Sequence, residues 1–337
     1  MWIQLLLVIV SIVIILLGAN YLTDGAAALA ARFKIPQLII GLTVVAFGTS
    51  APELTVSILG SLQGNGGIAV GNVIGSNIFN VFAILGISAM IFPLDVDKNS
   101  RLYDIPIAIL ASLVLSVLLL DPILDGRATD VTRAEALILT LMGILFLLYS
   151  VFMGKRGAKL EKAEVRQAEE AEKPLKKKPF WYILLAIVGG MAALVWGANL
   201  FVTNAAAFAG SLGISETLVG LTLVSWGTSA PELATSVVAA FKKNSGIAVG
   251  NVIGSNIFNI FFVLGIAGTV HPLVGLEFTY LDLFMQLFGT LMLLCFAIWI
   301  GKDKITRLEG GIFTLIFVSY TAFIIFREMT GTAAVSF

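Results

Sequence analysis

Charged residues are scarce in this sequence of 337 residues. Asp, Glu, Lys and Arg together make up 12% of the chain, against about 25% in an ordinary soluble domain. Hydrophobic residues account for 58%, and the mean hydropathy is +0.99. Because so few charges cannot cover a folded surface with polar groups, the composition predicts an integral membrane protein.

Cysteine and histidine each occur once, as Cys295 and His271. A single cysteine excludes a disulfide framework, and the two residues cannot build a His/Cys metal centre within one chain. The N-terminal stretch also lacks the basic region and the cleavage site of a signal peptide. We therefore expect it to be a spanning helix.

Apolar stretches of the length that a bilayer core of about 30 Å requires occur ten times. We place them at residues 2–22, 36–59, 67–92, 103–120, 131–153, 181–202, 217–240, 246–270, 280–300 and 310–326. The sequence thus predicts an all-α integral membrane protein with ten transmembrane helices.

Basic residues near the ends of spans are retained on the cytoplasmic side of a membrane. When alternate loops are assigned to one side, 18 of the 21 Lys and Arg residues fall there. Only Arg127, Arg133 and Arg327 fall on the other side. Both termini are therefore expected to face away from the cytoplasm, in a multi-pass protein of the cell (plasma) membrane.

Residues 154–179 are rich in charge and have no apolar face, which is typical of a solvated linker, here on the inner membrane surface. The linker separates two halves, residues 1–153 and 180–337, with five predicted spans each. Because five is odd, the second half enters the membrane from the opposite side. The halves are therefore predicted to form an inverted repeat.

Two blocks of sequence occur once in each half, 179 positions apart. GLTVVAFGTSAPEL, residues 41–54, returns at residues 220–233 with 11 of 14 positions identical. GIAVGNVIGSNIFN, residues 67–80, returns unchanged at residues 246–259. Both blocks place polar side chains inside apolar runs, where a carboxylate needs a partner other than water.

The first block predicts a broken helix with an oxygen-rich face. Thr49, Ser50 and Glu53 would lie together on one face of a helix. Pro52 has no backbone N–H to bond the carbonyl of Gly48, so we expect the helix to break or kink there. In hydrocarbon a freed carbonyl is tolerated only where protein, water or an ion satisfies it. The second copy supplies Thr228, Ser229, Glu232, Pro231 and Gly227.

The second block predicts a stripe of amide and hydroxyl oxygens down one helix. Its members follow one another at every fourth position, and they are Asn72, Ser76 and Asn80 in the first half and Asn251, Ser255 and Asn259 in the second. Four asparagines are interpreted as forming hydrogen bonds between helices rather than binding the ion directly, and they are Asn72, Asn77, Asn251 and Asn256. Asp104 and Asp282 are interpreted as interfacial helix caps.

Inverted halves would bring Glu53 and Glu232 face to face near the middle of the membrane, with broken helices on either side. The repeat blocks contain no Lys, Arg or His, so the natural partners of the two carboxylates are metal cations or protons. Carboxylate, hydroxyl, amide and carbonyl oxygens without sulfur or imidazole suit Ca²⁺ and Na⁺.

GTSAPE together with GSNIFN, in two inverted copies, resembles the alpha-repeats of the calcium/cation antiporter superfamily, in its sodium/calcium exchanger branch with short prokaryotic members. The resemblance covers about residues 36–92 and 215–270 and implies ten transmembrane helices that exchange Ca²⁺ against Na⁺. By motif position, Glu53 and Glu232 resemble the central calcium-bridging carboxylates. The residues that resemble the flanking sodium ligands are Thr49, Ser50, Ser76, Thr228, Ser229 and Ser255, and the carbonyls of Ala46 and Ser225 resemble the backbone contacts.

Asn80 and Asn259 complete the candidate metal site. Several members of the superfamily carry Asp where this chain has Asn259, so here no third carboxylate is available to attract K⁺. Together with these residues, the resemblance implies an antiporter that exchanges Ca²⁺ for Na⁺ by alternating access, electrogenic and independent of K⁺.

A proton-coupled calcium exchanger and a passive cation channel are the alternatives. An enzyme is not expected, because the chain has neither a nucleophile and base pair nor an HExxH motif. The expected partners are Ca²⁺, Na⁺ and the lipid bilayer, without a cofactor or nucleic acid. We expect the protein to be a monomer.

Overall fold

A computed structural model describes residues 2–124, 126, 129–157, 179–211, 225–274, 276 and 280–330. The helices of these residues are α1 Trp2–Phe33, α2 Gln37–Thr49, α3 Ala51–Leu62, α4 Gly66–Ile91, α5 Ser100–Leu118, α6 Asp121–Leu124, α7 Arg133–Gly157, α8 Phe180–Ser211, α9 Ser225–Thr228, α10 Ala230–Phe241, α11 Ser245–Val270, α12 Tyr280–Ile300 and α13 Arg307–Thr330. Two short strands, β1 Leu94–Asp95 and β2 Lys304–Ile305, pair antiparallel.

The described helices include eight that are long and apolar enough to cross a membrane, namely α1, α4, α5, α7, α8, α11, α12 and α13. α2 and α3 together make a ninth candidate, with a bend of 46° between them. α10 is shorter, and residues 217–224 of the predicted seventh span lie outside the described residues. The prediction of an all-helical membrane protein is confirmed, and the count of ten spans stays a prediction.

α4 and α11 lie at the centre of the fold. In their most apolar stretches 78% and 94% of the residues are buried, against 22% in α1 and 17% in α13. The peripheral helices therefore present their apolar side chains outward, as expected of a surface that faces lipid. The two central helices carry the repeated block GIAVGNVIGSNIFN, so the repeat occupies the core.

α1 and α8 pack closely along each other. Gly25 approaches Ile187, whereas Gly18 approaches Leu194, so the two helices run antiparallel. A Cβ atom added to Gly18 would lie 2.9 Å from the backbone nitrogen of Leu194, and one added to Gly25 would lie 2.8 Å from Cγ1 of Ile187. Glycine thus allows the two helix backbones to approach, as is common between membrane helices.

α1 extends to Phe33 and not to residue 22, so the predicted end of this span was wrong. The prediction ended the helix where the apolar run meets Thr23 and Asp24. The structure shows why the helix continues, because the Asp24 carboxylate pairs with Lys242 Nζ at 2.6 Å. A carboxylate that has a cation beside it does not need to lie in a loop.

Contacts at one end of the molecule join the loop after α4 to the loop before α13. β1 and β2 pair there, Arg101 forms an ion pair with Asp303, and Lys304 lies 3.0 Å from Asp95. Both loops belong to the basic set assigned to the cytoplasmic side. The assignment of this end of the molecule to the cytoplasmic side stays a prediction.

Contacts at the other end join loops that the same assignment places on the opposite side. Val131, which precedes α7, exchanges backbone hydrogen bonds of 2.9 and 3.0 Å with Leu273, which follows α11. The backbone nitrogen of Gly66, at the start of α4, donates to the carbonyl of Val274 at 3.2 Å. The described loops that contact each other at either end are thus loops that were assigned to the same side of the membrane.

A second internal repeat marks the starts of α7 and α13. Thr132 donates its backbone N–H to the Glu135 carboxylate at 2.8 Å, and Thr306 does the same to Glu309 at 2.6 Å. These are capping boxes, which satisfy backbone groups at a helix start. The sequence signals are TRAE at residues 132–135 and TRLE at residues 306–309, and we did not predict them.

Candidate ion-binding site

The repeated motif breaks its helix in both halves. Ser50 separates α2 from α3 with φ −82° and ψ 10°, and Ser229 separates α9 from α10 with φ −89° and ψ 8°. Pro52 and Pro231 lie in the first turn of the following helix, where a missing N–H leaves no hydrogen bond unmade. The predicted break is confirmed, and it places each glutamate in the first turn of a helix, where the helix dipole favours negative charge.

The two glutamates are buried and are held by serines of the opposite half. Glu53 is 0% and Glu232 is 1% exposed. Ser229 Oγ donates to Glu53 Oε1 at 3.0 Å, and Ser50 Oγ donates to Glu232 Oε1 at 2.9 Å. We refer to these two bonds as the crossed serine bonds. They bring the two copies of the motif into one site.

The hydroxyls of the central helices join the same site. Ser76 Oγ of α4 lies 3.0 Å from Ser229 Oγ, and Ser255 Oγ of α11 lies 3.5 Å from Glu232 Oε1. Ser76 and Ser255 are 3% and 0% exposed. Each glutamate therefore lies among hydroxyls that come from both repeated blocks.

Four asparagines at the meeting point of α4 and α11 form a symmetric group. Asn77 Nδ2 donates to the carbonyl of Asn256 at 3.3 Å, and Asn256 Nδ2 donates to the carbonyl of Asn77 at 3.4 Å. Asn80 Nδ2 donates to Asn256 Oδ1 at 2.9 Å, and Asn259 Nδ2 donates to Asn77 Oδ1 at 3.1 Å. Asn77 and Asn256 thus join the two helices. The amide nitrogens of Asn80 and Asn259 therefore donate hydrogen bonds, whereas their amide oxygens have no hydrogen-bond partner among the described residues.

Four buried oxygens of this site have no hydrogen-bond donor within the described part of the chain. They are Glu53 Oε2, Glu232 Oε2, Asn80 Oδ1 and Asn259 Oδ1. Neither glutamate forms an ion pair with a described residue. A buried acceptor without a donor costs about 1–3 kcal/mol, and more when it is charged. Two carboxylate and two amide oxygens of this kind are the donor set that a hard cation binds.

In each half one further asparagine donates a hydrogen bond to the backbone carbonyl of the glutamate. Asn72 Nδ2 donates at 3.1 Å to both the carbonyl of Glu53 and Ser57 Oγ. The second half repeats this arrangement with Asn251, the carbonyl of Glu232 and Ser236. We did not predict the two serines, although both follow their glutamate by four positions in the two copies. Extending the repeat comparison by three residues would have revealed them.

Thr49 contacts the other half as well as its own, whereas the Ala46 carbonyl has local partners. Thr49 Oγ1 lies 3.2 Å from Asn251 Oδ1 and 3.3 Å from the Ala46 carbonyl. That carbonyl also accepts the backbone N–H of Ser50 at 3.0 Å. The Ala46 oxygen therefore has one backbone donor and the Thr49 hydroxyl within hydrogen-bond distance, and its role as an ion contact stays a prediction.

The equivalent residues of the second half are less completely described. Thr228 ends α9 immediately before the break, and it is half-buried. Ser225 opens the same helix, and its side chain lies outside the described residues. The roles predicted for these two residues stay predictions.

The interpretation of Asp104 as a helix cap was wrong. Asp104 is 2% exposed and lies inside α5, which starts at Ser100. The cap is Asp97, whose Oδ1 accepts the backbone N–H of Ser100 at 2.8 Å. Asp282 does lie in the first turn of α12, where it accepts a hydrogen bond of 2.6 Å from the hydroxyl of Tyr320.

A family comparison agrees with this geometry. The family model described as sodium/calcium exchanger protein matches residues 3–152 and 182–326. The chain belongs to this family. The predicted family is therefore confirmed, and so is the prediction of a membrane transporter rather than an enzyme.

Individual relatives match over most of their length. The chain is 30% identical over 346 residues to the sodium/calcium exchanger MaX1 of Methanosarcina acetivorans, covering 94% of this chain and 97% of the relative. It is 35% identical over 267 residues to the inner membrane protein YrbG of Escherichia coli, covering 79% of each. The structure of the sodium-calcium exchanger NCX_Mj soaked with 2.5 mM Na⁺ and 0.1 mM Ca²⁺ superposes with a TM-score of 0.79 at 29% identity, covering 95% of this chain and 98% of that one.

Proposed function

We propose that this protein is a secondary antiporter that exchanges Ca²⁺ for Na⁺ across the plasma membrane, with ten spans in two inverted halves. The observation that carries the proposal is the joint site of Glu53 and Glu232. Both glutamates are buried, and each accepts one of the crossed serine bonds. One further oxygen of each carboxylate and the amide oxygens of Asn80 and Asn259 have no hydrogen-bond donor among the described residues. The names of MaX1 and NCX_Mj, both sodium/calcium exchangers, support the same substrates. YrbG, an inner membrane protein, supports the location.

The charge and the donor set favour a divalent ion over a neutral substrate. Ca²⁺ takes six to eight oxygen ligands in a flexible arrangement, whereas Mg²⁺ demands a tight octahedron and keeps its waters. Glu53 and Glu232 would bind Ca²⁺ through their carboxylates, with Asn80 and Asn259 beside them. The proposed Na⁺ ligands are the hydroxyls of Thr49, Ser50, Ser76, Thr228, Ser229 and Ser255, together with the carbonyls of Ala46 and Ser225.

Alternating access would come from α1 and α8 moving as a pair across the core. The glycine contacts between the two helices make them one unit. α8 lies directly on both broken helices, since Gly48 faces Met191 and Gly227 faces Val202. A helix that covers both breaks can expose the site to one face or the other as it slides, and such motion of a packed helix is an established kind of conformational change.

We expect exchange that is electrogenic and needs no K⁺. Two ionised glutamates are neutralised by one Ca²⁺ or by two Na⁺, and a third Na⁺ would leave one net positive charge. The resemblance to sodium/calcium exchangers implies three Na⁺ per Ca²⁺, a ratio that moves one elementary charge in each cycle and is worth about 2.3 kcal/mol per 100 mV. Asn80 and Asn259 are neutral amides, so the site offers no additional carboxylate for K⁺.

The deciding experiment is calcium uptake by proteoliposomes that contain the purified full chain. Vesicles loaded with Na⁺ and diluted into choline medium should accumulate Ca²⁺, and choline-loaded vesicles should not. Uptake driven by an outward proton gradient without Na⁺ would instead support the proton-coupled exchanger. Uptake that is equal with and without any counter-ion gradient would support the channel and contradict antiport.

A further inference from the structure

An ion pair joins the outer helix α1 to the helix that carries Glu232. Lys242 follows α10 directly, and its Nζ lies 2.6 Å from Asp24 Oδ1 and 3.1 Å from the carbonyl of Asn20, both in α1. The side chains of Lys242 and Asp24 are 30% and 39% exposed. An ionisable residue within a membrane helix is a functional candidate by default, together with its partner. Neither was part of the candidate site described above.

The pair joins the two halves, and the repeat supplies no second charged pair at the equivalent positions. Asp24 corresponds to Thr203 in α8, and Lys242 corresponds to Gln63 after α3, by the same separation of 179 positions. Gln63 and Thr203 both belong to the described part of the chain, and they make no hydrogen bond with each other. The charged contact is therefore made at the end of the basic loops, and the equivalent residues at the other end are not hydrogen bonded to each other.

We propose that Asp24 and Lys242 are positioning residues that hold α1 against the core in one access state and so set the balance between the two faces. The inference rests on the proposed function, because it takes α1 as a moving element. In an inverted repeat the contacts at the two ends exchange when the access state changes. A contact between α1 and α10 at the basic end closes that end, so the pair favours the state that is open to the opposite face.

The size of the effect follows from the exposure of the pair. Both side chains are about one-third exposed, and ion pairs of this kind contribute at most about fivefold to an equilibrium. A state that becomes less populated binds its ligand with a proportionally weaker apparent affinity. Loss of the pair should therefore raise the ratio of the half-saturating Ca²⁺ concentration at the outer face to that at the cytoplasmic face by about two- to fivefold.

The repeat itself supplies the test variants, because Lys242→Gln and Asp24→Thr introduce the residues that the other half carries. Calcium uptake is measured in right-side-out and inverted membrane vesicles loaded with Na⁺. Lys243→Gln removes the neighbouring positive charge, which forms no ion pair with a described residue, and it serves as the matched control. We expect both test variants to raise the ratio, the double variant to raise it no further, and the control to leave it unchanged.

The exchanged double variant Asp24→Lys with Lys242→Asp should bring the ratio back towards that of the parent protein. A general loss of stability would lower uptake at both faces equally and would not be rescued by exchanging the charges. A ratio that stays constant or falls in both single variants overturns the inference, and so does a double variant whose effect is the sum of the two.

A crosslinking experiment distinguishes a failure of this inference from a failure of the proposed function. In the full chain with Cys295→Ala, the double variant Asp24→Cys with Lys242→Cys is treated with a short bifunctional thiol reagent in Na⁺, in Ca²⁺ and in choline. We expect the yield of crosslinking to differ between these ions, because α1 changes its position against the core. Equal yields in all three overturn the inference even if exchange is observed. If the parent protein does not transport Ca²⁺, the proposed function fails, and the crosslinking yields still decide whether the contact depends on the ion.

Discussion

Glu53→Gln removes one negative charge from the site and keeps the shape of the side chain. The amide oxygen of Gln can still accept the hydrogen bond that Ser229 donates at 3.0 Å, so we expect the variant to remain folded in the membrane. What it lacks is half of the formal charge that faces the ion. The same reasoning holds for Glu232→Gln, where the donor is Ser50 at 2.9 Å.

The magnitude follows from the burial of the two carboxylates. Both are at most 1% exposed, so water does not screen their interaction with the ion. Removing one partner of a buried, desolvated charge interaction costs about 3–5 kcal/mol. At about 1.4 kcal/mol per factor of ten, calcium affinity should fall by about two to four orders of magnitude.

The assay is thermal unfolding of the detergent-solubilised chain across a series of Ca²⁺ concentrations, combined with vesicle uptake. Ligand that binds only the folded state raises its stability by RT ln(1 + [L]/Kd), so the calcium concentration at which the melting temperature begins to rise reports affinity. Glu135→Gln makes the same substitution in a capping box away from the site. Because Gln also completes a capping box, we expect the melting temperature to stay close to that of the parent and the calcium dependence to be unchanged.

Near-normal calcium uptake in both glutamate variants would refute the assignment of the site. A loss of calcium dependence in Glu135→Gln as great as that in Glu53→Gln would show that the effect is not specific to the two central carboxylates.

The other predictions concern motion, coupling and stability. Gly227→Ala places a methyl group against Val202 of α8 and should slow exchange more than it weakens calcium binding. Gly311→Ala is the control, because an added Cβ there meets no atom within 4 Å, and it should change neither property. Equal effects of the two variants would reject sliding of α8 over the break. Exchange should proceed without K⁺, and an absolute requirement for K⁺ would contradict this prediction. The exchange rate should also depend on a membrane voltage clamped with an ionophore that does not need K⁺, and a rate independent of voltage would contradict the ratio of three Na⁺ per Ca²⁺. Thr132→Ala and Thr306→Ala should each lower the free energy of unfolding by about 0.5–2 kcal/mol and leave the apparent calcium affinity unchanged; altered affinity would mean that these caps reach the site.

The sequence was most informative where a local rule acts on a few neighbouring residues. Proline four positions after glycine predicted the break that the structure has at Ser50, because a missing N–H acts within one turn. Hydropathy located the eight long apolar helices of the described residues, since the bilayer sets the length of a span. It misplaced the end of α1 because the partner of Asp24 lies more than two hundred positions away along the chain.

The interior of the site depended on how the halves meet, which no local rule describes. Repetition showed that Glu53 and Glu232 belong together, but the crossing of the serine bonds follows only from the relative placement of the two motifs. The same limit applies to Asn77 and Asn256, whose backbone carbonyls each accept an amide of the other. Asp97 was missed as a cap for a simpler reason, since the predicted start of the span was placed three residues too late.

The crossed serine bonds make each half of the protein chemically incomplete. A half contributes a carboxylate whose shortest hydroxyl contact comes from the other half, so a polypeptide with a single copy of the motif would hold its glutamate without that donor. Two identical copies of one half, inserted in opposite orientations, would supply both donors, because the motif residues that form the bonds are the same in the two copies. The bonding pattern is thus one that a dimer of two oppositely inserted copies of a single half could form without any change in these residues.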